Sequence, residues 1–178
     1  MTVHHEKLIL REPEQQDKQK VLAYRDSFKA NLSTLHGSAG LRDEADYERW
    51  LRAVKASKLT ENKTPGFVPA TTYLVFEPST EALIGMVNLR HELNDDLRNY
   101  GGHIGYSVAK DKRRQGYGAQ MLALTLDACR RLGLQRVLVT CDVNNEASRR
   151  TILKNGGVLE DRRWIDDQQM ERYWIEIK

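Results

Sequence analysis

The chain has 178 residues, a length suited to one domain with its own core. Its 28 lysines and arginines face 25 acidic residues, a net charge of +3, which argues against nucleic acid as a partner. Two cysteines without CxxC spacing, five histidines with no ligand spacing to them, an N-terminus lacking a signal-like apolar core and no bilayer-length apolar run exclude a disulfide framework, a metal site and a membrane protein, and point to the reducing cytoplasm.

Residues 6–11 (EKLILR) read as a short first strand. Pro13 suits the first turn of a helix, where its missing N–H is harmless. Val21, Tyr24 and Phe28 give that helix one apolar stripe, ending near Asn31, and residues 36–42 read as a glycine-containing loop. Asp43 is the expected N-cap of a second helix, in which Tyr47, Trp50, Leu51 and Val54 fall at i, i+3, i+4 and i+7. Residues 60–70, with two prolines and a glycine, leave the helix.

Three strand-like runs follow, at 71–77, 82–92 and 103–109, close enough in sequence for an antiparallel meander. A helix is expected from about Gly118 to Leu132, with Gly133 ending it. QRVLVTCD (135–142) is apolar on both alternations, as in a buried strand. A short helix over 144–157 and two final strands, 158–165 and 170–177, close the chain. The fold expected is mixed α/β: a mostly antiparallel central sheet, helices on both faces, and one β–α–β unit (103–142) that sets its two strands parallel. An apolar last strand leaves a homodimer open.

KDKRRQGYGAQ (110–120) marks the strand-to-helix junction of that unit. A helix start presents unpaired N–H groups and a partial positive charge. Glycines let main chain approach a ligand, and four cations crowd the first five residues. Together they describe a cradle for phosphate or pyrophosphate. The nucleotide loop GxxxxGK[ST] is absent, and Met121 stands where a dinucleotide fingerprint needs a third glycine.

Arg113-x-x-Gly116-x-Gly118 resembles the [QR]-x-x-G-x-[GA] signature of the GCN5-related N-acetyltransferases (GNAT). Asn145-x-x-Ser148, opening the next helix, is similar to that family's second block, and the succession of elements matches from about residue 6 to 177. The resemblance implies an enzyme that moves an acetyl group from acetyl-CoA to an amine of a small molecule or a protein N-terminus. The pyrophosphate would rest on main-chain amides from Arg113 through Arg114, Gln115, Gly116, Tyr117 and Gly118 to Ala119. The pantetheine arm would lie beside Val108, Asn145 and Ser148, where two strands splay apart. The first two helices and their loop would shape the acceptor cleft.

The resemblance stops at proton transfer. Many members carry a tyrosine acid seven residues after the asparagine, a position held here by Ile152. Some carry a glutamate base six residues before the valine, a position held here by Gly102. His103, whose ordinary pKa suits neutral proton transfer, and Tyr173, on the last strand, are the substitutes the sequence offers. A water-relayed route needs neither. Without an acid or base, the alternative is a non-catalytic acyl-CoA binding or sensing module.

Overall fold

The computed structural model describes residues 7–61 and 64–178, so residue 6, the expected start of the first strand, lies outside them. The elements run β1 (Ile9–Arg11), α1 (Lys18–Asp26), α2 (Tyr47–Ala56), β2 (Ala70–Phe76), β3 (Leu83–Arg90), β4 (Ile104–Val108), α3 (Tyr117–Arg131), β5 (Arg136–Asp142), α4 (Glu146–Lys154), β6 (Val158–Ile165) and β7 (Gln168–Glu176). The order is the expected one, and the fold is mixed α/β.

Several ends differ from expectation, each for a local reason. Pro13 precedes the helix, which opens with a 3-10 turn at Gln15–Asp17. α1 stops at Asp26, where the Ser27 hydroxyl donates to the Tyr24 carbonyl (2.7 Å) and a 3-10 segment takes over. Asp46, not Asp43, caps α2 by accepting from the Arg49 N–H (3.0 Å). Asp43 sits in the turn before it, its N–H bonded to the Gly40 carbonyl.

The strands form two sheets, in the order β1-β2-β3-β4 and β5-β7-β6, with antiparallel ladders. α1 and α2 cover one face of the first sheet, burying Val21, Phe28, Tyr47 and Trp50 against Leu74 and Met86. α3 and α4 cover the other, where Met121, Leu122 and Ile152 meet Val87, Leu89 and Val139. Each such large apolar side chain contributes roughly 1.5–3 kcal/mol by leaving water. The Trp50 ring keeps its N–H satisfied on the Ser38 carbonyl (2.9 Å), so the α1–α2 loop is fixed by a polar contact inside an apolar layer.

That loop also rests directly on β4. Gly37 has φ +70°, and a Cβ there would meet the Gly105 carbonyl oxygen at 2.5 Å and the Tyr106 Cα at 2.8 Å. Only glycine allows this approach of two main chains.

β4 and β5 share no ladder and meet at one joint. The His103 N–H donates to the Leu138 carbonyl (2.8 Å), and the Leu138 N–H donates to His103 Nδ1 (2.9 Å). The imidazole thus replaces a main-chain acceptor where the two sheets meet. Beyond it no main-chain hydrogen bond among the described residues joins β4 to β5, which leaves a gap in the hydrogen-bonding between them.

Candidate active site

The gap is bordered by unpaired main chain, which follows from register. The Arg90 N–H donates to the His103 carbonyl (2.7 Å), and the Ala109 N–H to the Ile84 carbonyl (2.8 Å). Alternation along an antiparallel ladder therefore turns the peptide groups of Ile104, Tyr106 and Val108 away from β3 and into the gap. The Val108 carbonyl receives Arg113 Nε (3.2 Å).

β4 leads through Ala109 and a 3-10 turn (Lys110–Lys112) into the basic junction. Arg114 has φ +61° and Gly116 φ +82°, so the chain curls twice through left-handed backbone before α3 begins. Among the described residues, the N–H groups of Arg114, Gln115, Gly116, Gly118 and Ala119 donate to no protein acceptor. They form a concave set of free donors at a helix start, the geometry that suits a phosphate. A Cβ on Gly116 would touch nothing within 4 Å, so its glycine answers to φ rather than to crowding. The Gln115 amide folds back onto the Asp111 carbonyl (3.0 Å) and closes the loop.

The cations of the junction divide. Lys112 pairs with Glu77 (3.8 Å). Lys110 and Arg113 lean toward the Phe28 ring, at 5.8 and 5.7 Å from its centre. Arg114 is exposed on the loop itself. Tyr117 turns inward, its hydroxyl donating to Glu77 (2.5 Å), which leaves only its main chain beside the loop. Gly118 packs α3 against its neighbours, with its Cβ position 3.3 Å from Thr151 Oγ1 and 3.8 Å from Val108 Cγ2. The Ala119 carbonyl accepts from Asn155 (3.1 Å), tying α3 to the end of α4.

At the other border, Asn145 caps α4 by accepting from the Ser148 N–H (3.1 Å). The Ser148 hydroxyl pairs separately with the Tyr106 hydroxyl of β4 at 2.8 Å. This bond crosses between β4 and α4. Burial pushes the Tyr106 phenol above its ordinary pKa, so it keeps its proton at neutral pH.

The two expected proton-transfer residues are held elsewhere. His103 is 6 % exposed, and burial, followed by Arg98 and Arg90, pulls its pKa down to about 4. With Nδ1 already accepting from Leu138, it is a weak base at neutral pH and serves as the sheet joint. Its ring also meets Trp174 edge-on at 6.4 Å. Tyr173 is 3 % exposed, and its hydroxyl donates to Glu171 Oε2 (2.7 Å), where burial pushes its pKa up to about 12. Both side chains are buried, and their polar atoms are bonded within the protein.

Glu171 is a feature that residue patterns missed. Its side chain is fully buried, yet it accepts from Arg149 Nε (2.7 Å), Arg162 Nε (3.0 Å) and Tyr173. Against the desolvation that works the other way, these donors hold its pKa down to about 2. The Cys141 thiol lies 4.0 Å away, and burial with Glu171 pushes its pKa up to about 11. It is therefore a neutral thiol at pH 7 and a poor nucleophile. A carboxylate in the largely apolar last strand, MERYWIEI, was the available signal.

A family model described as an acetyltransferase (GNAT) domain matches residues 7–158. The chain belongs to the GNAT acetyltransferases. This family takes its acetyl group from acetyl-CoA as co-substrate. Among solved structures, one similar chain is an acetyltransferase from Salmonella typhimurium that modifies the N-terminal serine of a 50S ribosomal subunit protein. It is 19 % identical with a TM-score of 0.66, covering 97 % of this chain and 96 % of that one. A second is RimL, a ribosomal alpha-N-protein acetyltransferase in complex with coenzyme A as a CoA–cysteine disulfide. It is 20 % identical with a TM-score of 0.68, covering 96 % and 94 %. A third is the spermidine/spermine N-acetyltransferase SpeG from Vibrio cholerae, 18 % identical with a TM-score of 0.62, covering 95 % and 94 %. At these identities the likenesses show the fold. No curated protein matches the chain at a significant level. No helix among the described residues is long and apolar enough to cross a membrane.

Proposed function

We infer that this acetyltransferase moves the acetyl group of acetyl-CoA onto a primary amine, by direct attack within a ternary complex. The reading rests on one observation: free main-chain donors at the start of α3 continue into the unpaired border of β4. A pyrophosphate on the amides of residues 113–119 leaves the extended arm to pair with Val108 along the gap, towards Asn145 and Ser148. The Val108 N–H is then the donor for the oxyanion that forms when the amine attacks. Direct attack is favoured over an acyl-cysteine because Cys141 is held as the neutral thiol.

The acceptor approaches from the face that α1, α2 and the 36–42 loop cover. Its amine loses a proton to water, since His103 is committed to the joint between the sheets. Ribosomal protein N-termini and polyamines, the acceptors named for similar structures, are the first to try.

The test is release of coenzyme A thiol from acetyl-CoA with a panel of amines: spermidine, free amino acids, and peptides beginning with serine or alanine. Release that depends on one of these amines is the expected result. Binding of acetyl-CoA without turnover on any of them sinks the enzyme and leaves an acyl-CoA sensing module.

A further inference from the structure

An acceptor must be recognised as well as acetylated, and the face from which it arrives carries a half-buried cation. Arg90 ends β3, and its N–H donates to the His103 carbonyl (2.7 Å) at the joint between the sheets. Its side chain lies on the face that the 36–42 loop covers. A Cβ built on Gly105 would stand 3.5 Å from both terminal nitrogens of Arg90 and 3.4 Å from the Gly37 nitrogen. The guanidinium therefore borders the place that a side chain on residue 105 would take. Gly105 itself is flanked by Ile104 and Tyr106, whose peptide groups border the gap.

The hydrogen bonds of Arg90 leave one edge of the guanidinium open. Nη1 donates to the Gly101 carbonyl (3.0 Å) and the Gly102 carbonyl (3.3 Å), which steadies the turn before His103. Among the described residues, Nε and Nη2 donate to no protein acceptor and no carboxylate pairs with this side chain. Neither nitrogen is sealed in, because every fully buried side-chain nitrogen and oxygen among those residues has a partner. Nε and Nη2 lie along one side of the planar fork, the arrangement that takes both oxygens of a carboxylate. A cation withdrawn from water ordinarily has a counter-ion. Here burial lowers the Arg90 pKa and no acid opposes it. The covering loop adds Arg42, which leans on its neighbour Asp43 at 3.7 Å. A role confined to the turn accounts for Nη1 and leaves the Nε–Nη2 edge unexplained.

We propose that Arg90 is a specificity residue of the acceptor site, and that its Nε–Nη2 edge receives a carboxylate carried by the acceptor. The inference rests on the acetyl-transfer reading above and narrows its substrate class. Two sources share this chemistry: the α-carboxylate of a free amino acid, and an acidic side chain near the start of a peptide. Reach selects the second. Gly105 and Val108 are about 10 Å apart along β4. In a free amino acid the amine and the carboxylate hang on one carbon and cannot span that separation. An extended peptide advances about 3.3–3.6 Å per residue, which brings its second or third side chain to Arg90 while its amine faces the thioester. The acceptor is thus a peptide N-terminus with aspartate or glutamate at its second or third position.

The experiment compares kcat/KM on serine-led amidated peptides that differ only in glutamate or glutamine at the second or third position. Wild type, Arg90→Gln and Arg90→Lys are measured as full chains, with acetyl-CoA affinity by calorimetry to show that each variant is folded. Wild type is expected to favour glutamate about tenfold or more at one of the two positions. Arg90→Gln is expected to bring that ratio to within about threefold of one. Arg90→Lys keeps the charge without the fork and is expected to fall between. Free serine against serinamide probes the other source: a preference for serine that Arg90→Gln abolishes, with none among the peptides, upholds the carboxylate and overturns the peptide. Wild-type ratios near one for every pair overturn the proposal without need of a variant, and so does a preference that survives in folded Arg90→Gln. Either result leaves acetyl transfer standing. A wild type that binds acetyl-CoA but turns over no amine overturns both readings.

Discussion

The joint at His103 makes the stability of the two-sheet assembly depend on pH. The imidazole must be neutral, because its Nδ1 lone pair holds the Leu138 N–H. Its folded pKa of about 4 lies below the ordinary 6.5, so between these values the unfolded chain binds a proton that the folded one refuses. The stabilisation is therefore complete above pH 6.5 and fades as pH falls toward 4. A shift of this size amounts to about 3 kcal/mol between pH 7 and pH 4, at about 1.4 kcal/mol per unit. Other groups titrate too, so the comparison needs a partner that keeps the bond without the proton. His103→Asn offers a side-chain oxygen near the Nδ1 position and cannot ionise. Urea unfolding of both proteins at pH 7 and pH 4 is expected to show the wild type losing about 3 kcal/mol more than His103→Asn. Equal losses, or a His103 pKa above 6 by NMR in the folded protein, would refute the reasoning.

Gly116→Val places a β-branched residue at φ +82° in open space, so it should weaken acetyl-CoA binding at least tenfold while the fold survives with a loss of about 1–2 kcal/mol; unchanged affinity by calorimetry removes the pyrophosphate assignment. Glu171→Ala strips a buried carboxylate from Arg149 and Arg162 and should cost about 3–5 kcal/mol in urea unfolding at pH 7; a cost below 1 kcal/mol contradicts the buried network. In the wild type, the Glu171 contribution is present above its ordinary pKa of 4.5 and is lost as pH falls toward 2. On the α1–α2 side, burial and then Arg42 and Arg90 pull the His36 pKa down, and the Arg90 guanidinium donates to the Gly101 and Gly102 carbonyls, with no acidic partner among the described residues. That local positive field should disfavour a polycation, so kcat/KM for spermidine is expected to be roughly tenfold or more below that for a peptide N-terminus; a preference for spermidine contradicts it.

What the sequence revealed was the periodic and the local. The stripe through Tyr47, Trp50, Leu51 and Val54 is buried as its spacing required. The glycines of the junction were read as freeing the main chain to approach a ligand, and Gly116 sits there at φ +82°. The order of elements, and with it the fold, followed from such signals. The helix start at Asp46 was hidden because Asp43 offers the same side chain three residues earlier, and only the path of the loop decides between them. The roles of His103, Tyr106 and Tyr173 were beyond reach for a deeper reason. Each depends on a partner distant in the chain: Leu138 for the first, Ser148 for the second, and for the third a carboxylate that is itself held by Arg149. Alternation told which way a strand residue points, but not which residue from another element waits there.

The contact of Gly37 with Gly105 bears on redesign. Exchanging the 36–42 segment for that of a relative is the obvious route to a new acceptor, and most of the segment tolerates it in principle. Position 37 does not, because any side chain there lifts the graft off the strand and carries the amine's entrance away from the thioester. Grafts should therefore be selected first for a glycine in that place and only then for the chemistry of the residues around it.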